Sequence, residues 1–279
     1  MTLRAMIVTC LVIGSVGLSA QGRRSVPTGF DNVGRSADEW CRDAERQNRR
    51  RVSCDVREKS LSRIESLDVD TGGNGSVRVR GTSGSITRVR FRIVGYADGE
   101  REARELVSDV RVSTEGGRIR ATGPRHRDGR WWSVALDIET PRDLPMTLTT
   151  SNGAIAIAEV AGRTRFDTTN GAISLSDLSG DVRGQTVNGT VHVELDGTRW
   201  QGDGLDVSTT NGRVVVLLPR DYNAELHTET DNGGIAVDFP VTVRGRLSGW
   251  PRRLDTTLGS GGAPLRVRTV NGGVTIGLR

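Results

Sequence analysis

The chain has 279 residues, 35% hydrophobic and only 4% aromatic, with 36 glycines, 39 Lys and Arg, 34 Asp and Glu, and a formal net charge of +5. That length holds one large or two small domains with a sizeable core, and the glycine-rich, aromatic-poor composition favours many short strands and turns over a helical bundle. The basic balance argues against nucleic acid as a partner: arginines are spread among acidic residues, Lys59 is the only lysine, and few aromatics could stack on bases, which leaves weak attraction to anionic envelope polymers.

The N-terminus runs Met1-Thr2-Leu3-Arg4, then an apolar stretch from Ala5 to Leu18, then Ser19-Ala20. A charged start, an apolar centre and a small-residue end are the order of a secretory signal peptide, and the apolar run is short for a bilayer span. We expect residues 1–20 to be removed near Ala20, leaving an exported protein of the periplasm or cell surface with no transmembrane anchor. Cys10 lacks the preceding small residues of a lipid-modified cysteine, so Cys41 and Cys54 remain as the pair. In an exported chain they read as a disulfide, whose short loop contributes about 3 kcal/mol in the chain-entropy picture. A zinc site would need two more ligands, and the nearest histidine is His126.

Residues 21–60 show little apolar pattern and read as an irregular N-terminal segment, with a short helix capped at Ser36 and running toward Gln47. Trp40 and the disulfide would staple it to a β domain over residues 61–279. From Ile64 the period becomes two. Leu67 and Val69, then Val77 and Val79, flank Gly72-Gly73-Asn74-Gly75 as strand, turn and strand. Further strands are predicted at 86–94, 107–112, near Ile119 and at 131–140, with one short helix over 98–106.

From residue 149 a repeat takes over. Asn152-Gly153, Asn170-Gly171, Asn188-Gly189, Asn211-Gly212, Asn232-Gly233 and Asn271-Gly272 follow one another at intervals of 18, 18, 23, 21 and 39, the last close to two units. Gly116-Gly117 lies 36 before Asn152, again two units. Each unit reads Thr-x-Asn-Gly-x-aliphatic-x-aliphatic, for example Ile155/Ile157, Ile173/Leu175 and Val191/Val193. Each pair shares one strand face, which a unit alone cannot bury and a stack can. The fold expected is all-β, a parallel β-solenoid or closely related stacked sheet with rungs of 18 to 23 residues. Asn-Gly is a hairpin signal or a solenoid corner; we favour the corner, where both residues tolerate positive φ and stacked asparagines can bond from rung to rung. A hexapeptide helix is excluded, since steps of six from Ile155 reach Ala161, Asp167, Ser179 and Gln185.

Candidate chemistry is sparse. By strand parity His192 and His227 point outward, and His126 sits in a loop, with no nucleophile elbow to complete a serine triad. Asp177, Asp181 and Arg183 resemble the acid and base set of β-helical polysaccharide lyases, but the aspartates flank Leu178-Ser179-Gly180, a turn that Asp caps. Asp70 and Asp231 precede Gly-Asn and Asn-Gly turns without forming a calcium-binding nonapeptide array, and Gly259-Ser260-Gly261-Gly262 leads into a strand, unlike a phosphate loop. No catalytic residue, metal or cofactor is expected. The final alternation, Val274 to Arg279, reads as a strand with an open edge.

Several of these features together resemble a known family. They are Trp40-Cys41 with Cys54-Asp55-Val56-Arg57-Glu58, the Trp131-Trp132-Ser133-Val134 strand ending at Pro141, the Thr-x-Asn-Gly units, and Gly259-Ser260-Gly261-Gly262 followed by Thr269 to Val274. Over residues 40–279 the chain resembles bacterial exported proteins of the putative-adhesin class, a domain family of unknown function without agreed catalytic residues. The resemblance implies a non-enzymatic envelope module, an adhesin or interaction scaffold. Its partner would be an envelope protein or glycan, met by outward side chains such as Arg163, Arg165, Arg183 and Arg213. The alternative is a polysaccharide lyase or hydrolase on the same scaffold.

Overall fold

A computed structural model describes residues 36–46, 50–238 and 252–279, so the expected signal peptide lies outside the described residues. In chain order the elements are α1 (Ala37–Arg46), β1 (Arg51–Ser62), β2 (Leu67–Asp70), β3 (Val77–Thr82), β4 (Ile86–Ala97), α2 (Glu100–Asp109), β5 (Arg111–Ser113), β6 (Arg118–Thr122) and β7 (Trp131–Pro141). There follow β8 (Met146–Asn152), β9 (Ile155–Ala158), β10 (Thr164–Asn170), β11 (Ile173–Ser176), β12 (Asp181–Asn188), β13 (Val191–Glu194), β14 (Gly204–Asn211) and β15 (Val214–Leu218). The chain continues through β16 (Ala224–Asn232), β17 (Ile235–Val237), β18 (Arg253–Leu258), β19 (Pro264–Asn271) and β20 (Val274–Leu278).

The strands form two ten-stranded sheets, ordered β1-β4-β7-β3-β9-β11-β13-β15-β20-β17 in the first and β18-β16-β19-β14-β12-β10-β8-β2-β6-β5 in the second. Each repeat sends one strand to the second sheet, turns at Asn-Gly, and sends the next strand to the first. Neighbouring repeats are parallel and in register: Ile173 stands between Ile155 and Val191, and Thr168 between Thr150 and Thr186. Segments outside the repeat run the other way, with antiparallel pairing of β1 with β4, β4 with β7, β5 with β6 and β16 with β18. The molecule is therefore built of mixed sheets, where the repeat predicts a parallel β-solenoid or closely related stacked sheet. Each of these four pairings includes a strand that belongs to no Asn-Gly unit, β1, β4, β5 or β18.

The paired aliphatics face inward between the sheets. Ile155, Ile157, Ile173, Leu175, Val191, Val193, Val214, Val216, Val274 and Ile276 are all buried, each side chain worth about 1.5–3 kcal/mol removed from water. In the second sheet, Gly184 of β12 carries no side chain where Phe166, its register partner on β10, fills the space; a Cβ there would meet the ring at 2.1 Å.

Arg51–Ser62 is a twelve-residue strand, not irregular chain. It pairs through its backbone at the edge of the first sheet, so its side chains are largely exposed and show no alternation of apolar residues. Residues 107–109 belong to α2, where Ala103, Leu106 and Val107 are buried on one face, and only Arg111–Ser113 is strand. Gly116-Gly117 is a single 3-10 turn, and the repeat that stacks on Asn152 is that of Asn74, 78 residues earlier.

The C-terminal repeat is also displaced. β19 and β20 lie between β14/β15 and β16/β17, so the spacing of 39 reflects an inserted unit and not an empty rung. The last strand is interior, bonded to β15 on one side and β17 on the other, and offers no open edge. Cys41 and Cys54 are disulfide-bonded with Cα atoms 5.7 Å apart, tying α1 to β1. Trp40 of α1 is buried under the guanidinium groups of Arg90 and Arg92, 5.5 and 5.2 Å from its ring, and Arg92 Nη1 donates to its carbonyl at 2.6 Å.

Candidate functional site

The Thr-x-Asn-Gly corner has a division of labour. The Asn side chains form one ladder, each Nδ2 donating to the next Oδ1 at 2.8 or 2.9 Å, in the order Asn232, Asn271, Asn211, Asn188, Asn170, Asn152 and Asn74. Each buried Thr donates its hydroxyl to a glycine carbonyl one rung away, as Thr168 does to Gly153 at 3.0 Å and Thr186 to Gly171 at 2.9 Å. The glycines serve close approach. A Cβ on Gly153, Gly171, Gly189, Gly212, Gly233 or Gly272 would stand 1.8–2.0 Å from a glycine carbonyl oxygen of the adjacent rung. Positive φ, the property expected to select them, is absent from the first five, and Gly272 at φ 159° is close to extended.

The second sheet carries the most organised polar surface. On its outer face, two rows run across seven strands, β19 to β6. The first row is Arg266, Asp206, Arg183, Arg165, Thr147, Asp68 and Arg118. The second is Arg268, Ser208, Gln185, Asp167, Thr149, Asp70 and Arg120. Period-two alternation puts each residue outward, and the parallel register aligns them.

Ion pairs connect the rows. Arg268 pairs with Asp206 at 3.3 Å and Arg120 with Asp68 at 2.6 Å, while Gln185 donates to Asp167 at 2.8 Å. Asp181, at the start of β12, accepts from Arg165 Nη2 at 2.6 Å and Arg183 Nε at 3.1 Å. The bond from Arg165 is the main cause that holds the Asp181 carboxyl below the usual carboxylate range, with the Arg183 charge adding to it. Short side chains between these arginines leave a groove of about 300 Å³ over Thr149, Asp167 and Gln185. A second, of about 430 Å³, lies at the strand starts between Arg118, Arg163 and Arg165.

Of the arginines singled out in the sequence, Arg163, Arg165 and Arg183 share this face, whereas Arg213 follows Gly212 at the opposite corner. Asp177 and Asp181 do not act on one centre. Asp177, at φ 52°, lies near Arg279 Nη1 at 3.4 Å, and Arg279 also pairs with Glu194 and Asp196. Burial raises the Asp177 carboxyl in spite of that arginine. Asp70 Oδ1 accepts from the Gly72 amide at 2.9 Å, a local turn bond.

The histidines divide. His227 is part-exposed and bonded to Asp255 at 2.8 Å, and His126 Nδ1 faces Asn74 Nδ2 at 3.0 Å beside Trp132. His192, expected at the surface, is only 7% exposed. Its parity is outward, but it lies mid-sheet between Ser174 and Val215, on a face where Ala156 and Ala158 are also buried. Burial lowers its pKa, with Glu194 opposing. The transverse rows were not foreseen either; only the two-residue alternation within each strand signalled them.

No family model and no curated protein matches the chain. Among solved structures it is similar to a putative cell adhesion protein from Clostridium sporogenes, at 10% identity and TM-score 0.43, covering 81% of this chain and 100% of that one. It is also similar to a putative adhesin from Bacteroides fragilis, at 11% identity and TM-score 0.32, covering 81% and 97%. A putative lipid binding protein from Parabacteroides distasonis aligns at 11% identity and TM-score 0.26, covering 80% and 96%. At these values the likenesses assign no activity.

Proposed function

We propose that this protein is an exported, non-enzymatic β-solenoid module of the cell envelope, an adhesin or interaction scaffold that binds through the outer face of its second sheet. The observation that carries the proposal is the pair of register-aligned polar rows across seven strands, a broad face that presents guanidinium, carboxylate, amide and hydroxyl groups at regular intervals. The Cys41–Cys54 bond supports the compartment, since disulfides persist where the surroundings are oxidising.

The lyase alternative needs Asp177, Asp181 and Arg183 to converge, and it is not carried further because Asp177 turns to Arg279 while Asp181 is held by Arg165 and Arg183. The test is retention of the purified full chain on isolated bacterial envelope, compared with an Arg165→Glu, Arg183→Glu variant. Retention that falls in the variant supports the face as the binding surface. No retention, or equal retention, overturns it.

A further inference from the structure

We infer that the strand-start side of this face binds a linear acidic polysaccharide, with the carboxylates of the glycan seated along the first row of arginines. The inference rests on the sheet-face reading above and concerns its ligand. Its basis is the direction in which the aspartates turn. Asp206 and Asp68 belong to the first row but pair with Arg268 and Arg120 of the second, so neither makes an ion pair within its own row. Arg266 and Arg118, in the first row on β19 and β6, are exposed and have no ion-pair partner among the described residues, as is true of Arg163 just before β10; beyond Arg266 the row continues in His227 of β16, which is bonded to Asp255 of β18. Arg165 and Arg183 stand side by side and share the single carboxylate of Asp181. The surplus positive charge therefore lies in a line at the strand starts, from β19 to β6, about 29 Å at six strand spacings.

A line of guanidinium groups fits carboxylates, which each can hold through two parallel N–H bonds. An extended uronate chain laid across the strands carries one carboxylate per ring, and those that face Arg266, Arg183, Arg165 and Arg118 make the contacts. Nucleic acid fits less well, because neither row contains an aromatic side chain on which a base could stack. The groove of about 430 Å³ between Arg118, Arg163 and Arg165 gives such a chain a seat at one end of the line.

The experiment measures binding of the full chain to polygalacturonate, with methyl-esterified polygalacturonate as the same polymer stripped of charge. Single-stranded DNA and phosphatidylglycerol vesicles are the other polyanions. The variant Arg118→Gln, Arg163→Gln, Arg266→Gln removes only exposed cations with no ion-pair partner among the described residues, and Arg213→Gln with Arg220→Gln, exposed at the Asn-Gly corner and in the turn after β15, is the control away from the row. We expect polygalacturonate to bind, esterified polymer not to, and the triple variant to lose about tenfold in affinity while the control keeps it. Binding should weaken as salt is raised. Equal binding of the esterified polymer, equal binding by the triple variant, or preference for DNA or vesicles overturns the inference. If polygalacturonate fails while the Arg165/Arg183-dependent retention on envelope persists, the acidic-glycan assignment falls and the sheet-face reading stands.

Discussion

Nδ2 of Asn188 donates to Oδ1 of Asn170 at 2.8 Å, and the same bond in the same direction joins Asn232 to Asn74 through five further rungs. The amide dipoles add along the stack, as hydrogen-bonded chains polarise one another. At the Asn74 end, the last N–H points at His126 Nδ1. An interior asparagine is thus both donor and acceptor to like neighbours, and neither role can be given up without orphaning one of them.

Asn188→Ala removes both bonds and should cost about 1 kcal/mol in all, because they are exposed and the freed partners turn to water. Asn188→Asp should cost more, about 1–3 kcal/mol, because it keeps the acceptor for Asn211 but sets a carboxylate oxygen against Asn170 Oδ1. Urea titrations of both variants check the order. If the aspartate is no worse than the alanine, the direction of the ladder does not matter to stability.

Gly171→Ala should destabilise severely, by about 3 kcal/mol or more, since the new methyl would sit 1.9 Å from the Gly153 carbonyl oxygen and the rungs would have to part. Gly197 is the contrast. It lies at φ 71° with nothing within 4 Å, so Gly197→Ala meets only backbone strain, about 1–2 kcal/mol. Thermal denaturation of the two proteins should separate them clearly, and near-equal melting temperatures would discount the packing explanation.

Replacing Cys41 and Cys54 by serine should lower stability by about 3 kcal/mol, since the bond spans 13 residues. Loss of order should begin at α1, which detaches with Trp40 from Arg90 and Arg92. Tryptophan fluorescence against denaturant would report it, with an early transition in the serine variant.

His192 gives a pH dependence whose sign is determined by burial. Its folded pKa lies below the ordinary value of 6.5, so below that value the unfolded chain holds a proton that the folded chain lacks. Stability therefore falls as pH drops through 6.5 and levels off below the folded value. The urea midpoint should decrease from about pH 7.5 to about pH 5.5, and His192→Gln should flatten that decrease. An unchanged slope in the variant would assign the effect to another group.

The amides of β20 should exchange slowly with solvent. The strand is bonded on both sides, with Val274 between Val214 and Ile235. Hydrogen exchange at Val274 and Ile276 should match that of β13 and not that of a fraying terminus. Fast exchange there would place the last repeat at an edge.

Much of the architecture is local, and so was legible. Alternation of apolar residues determined the inward faces from Ile155/Ile157 onward, the recurrence of Thr-x-Asn-Gly marked the corners, and the two cysteines left after an expected cleavage identified their bond. The glycines are selected by close approach and not by positive φ, because positive φ is a property of one residue whereas a carbonyl 1.9 Å from a Cβ position belongs to the next rung. Only the tertiary structure decided which rung lies on which. Every repeat carries the same corner chemistry, so Asn271 fits against Asn211 and Asn232 as well as these would fit each other, and spacing along the chain cannot choose. That choice buries β20, while the register between repeats lines up the arginines of the second sheet and covers His192. Each of these depends on side chains brought together from distant repeats, where the alternating pattern within one strand carries no information about its neighbours.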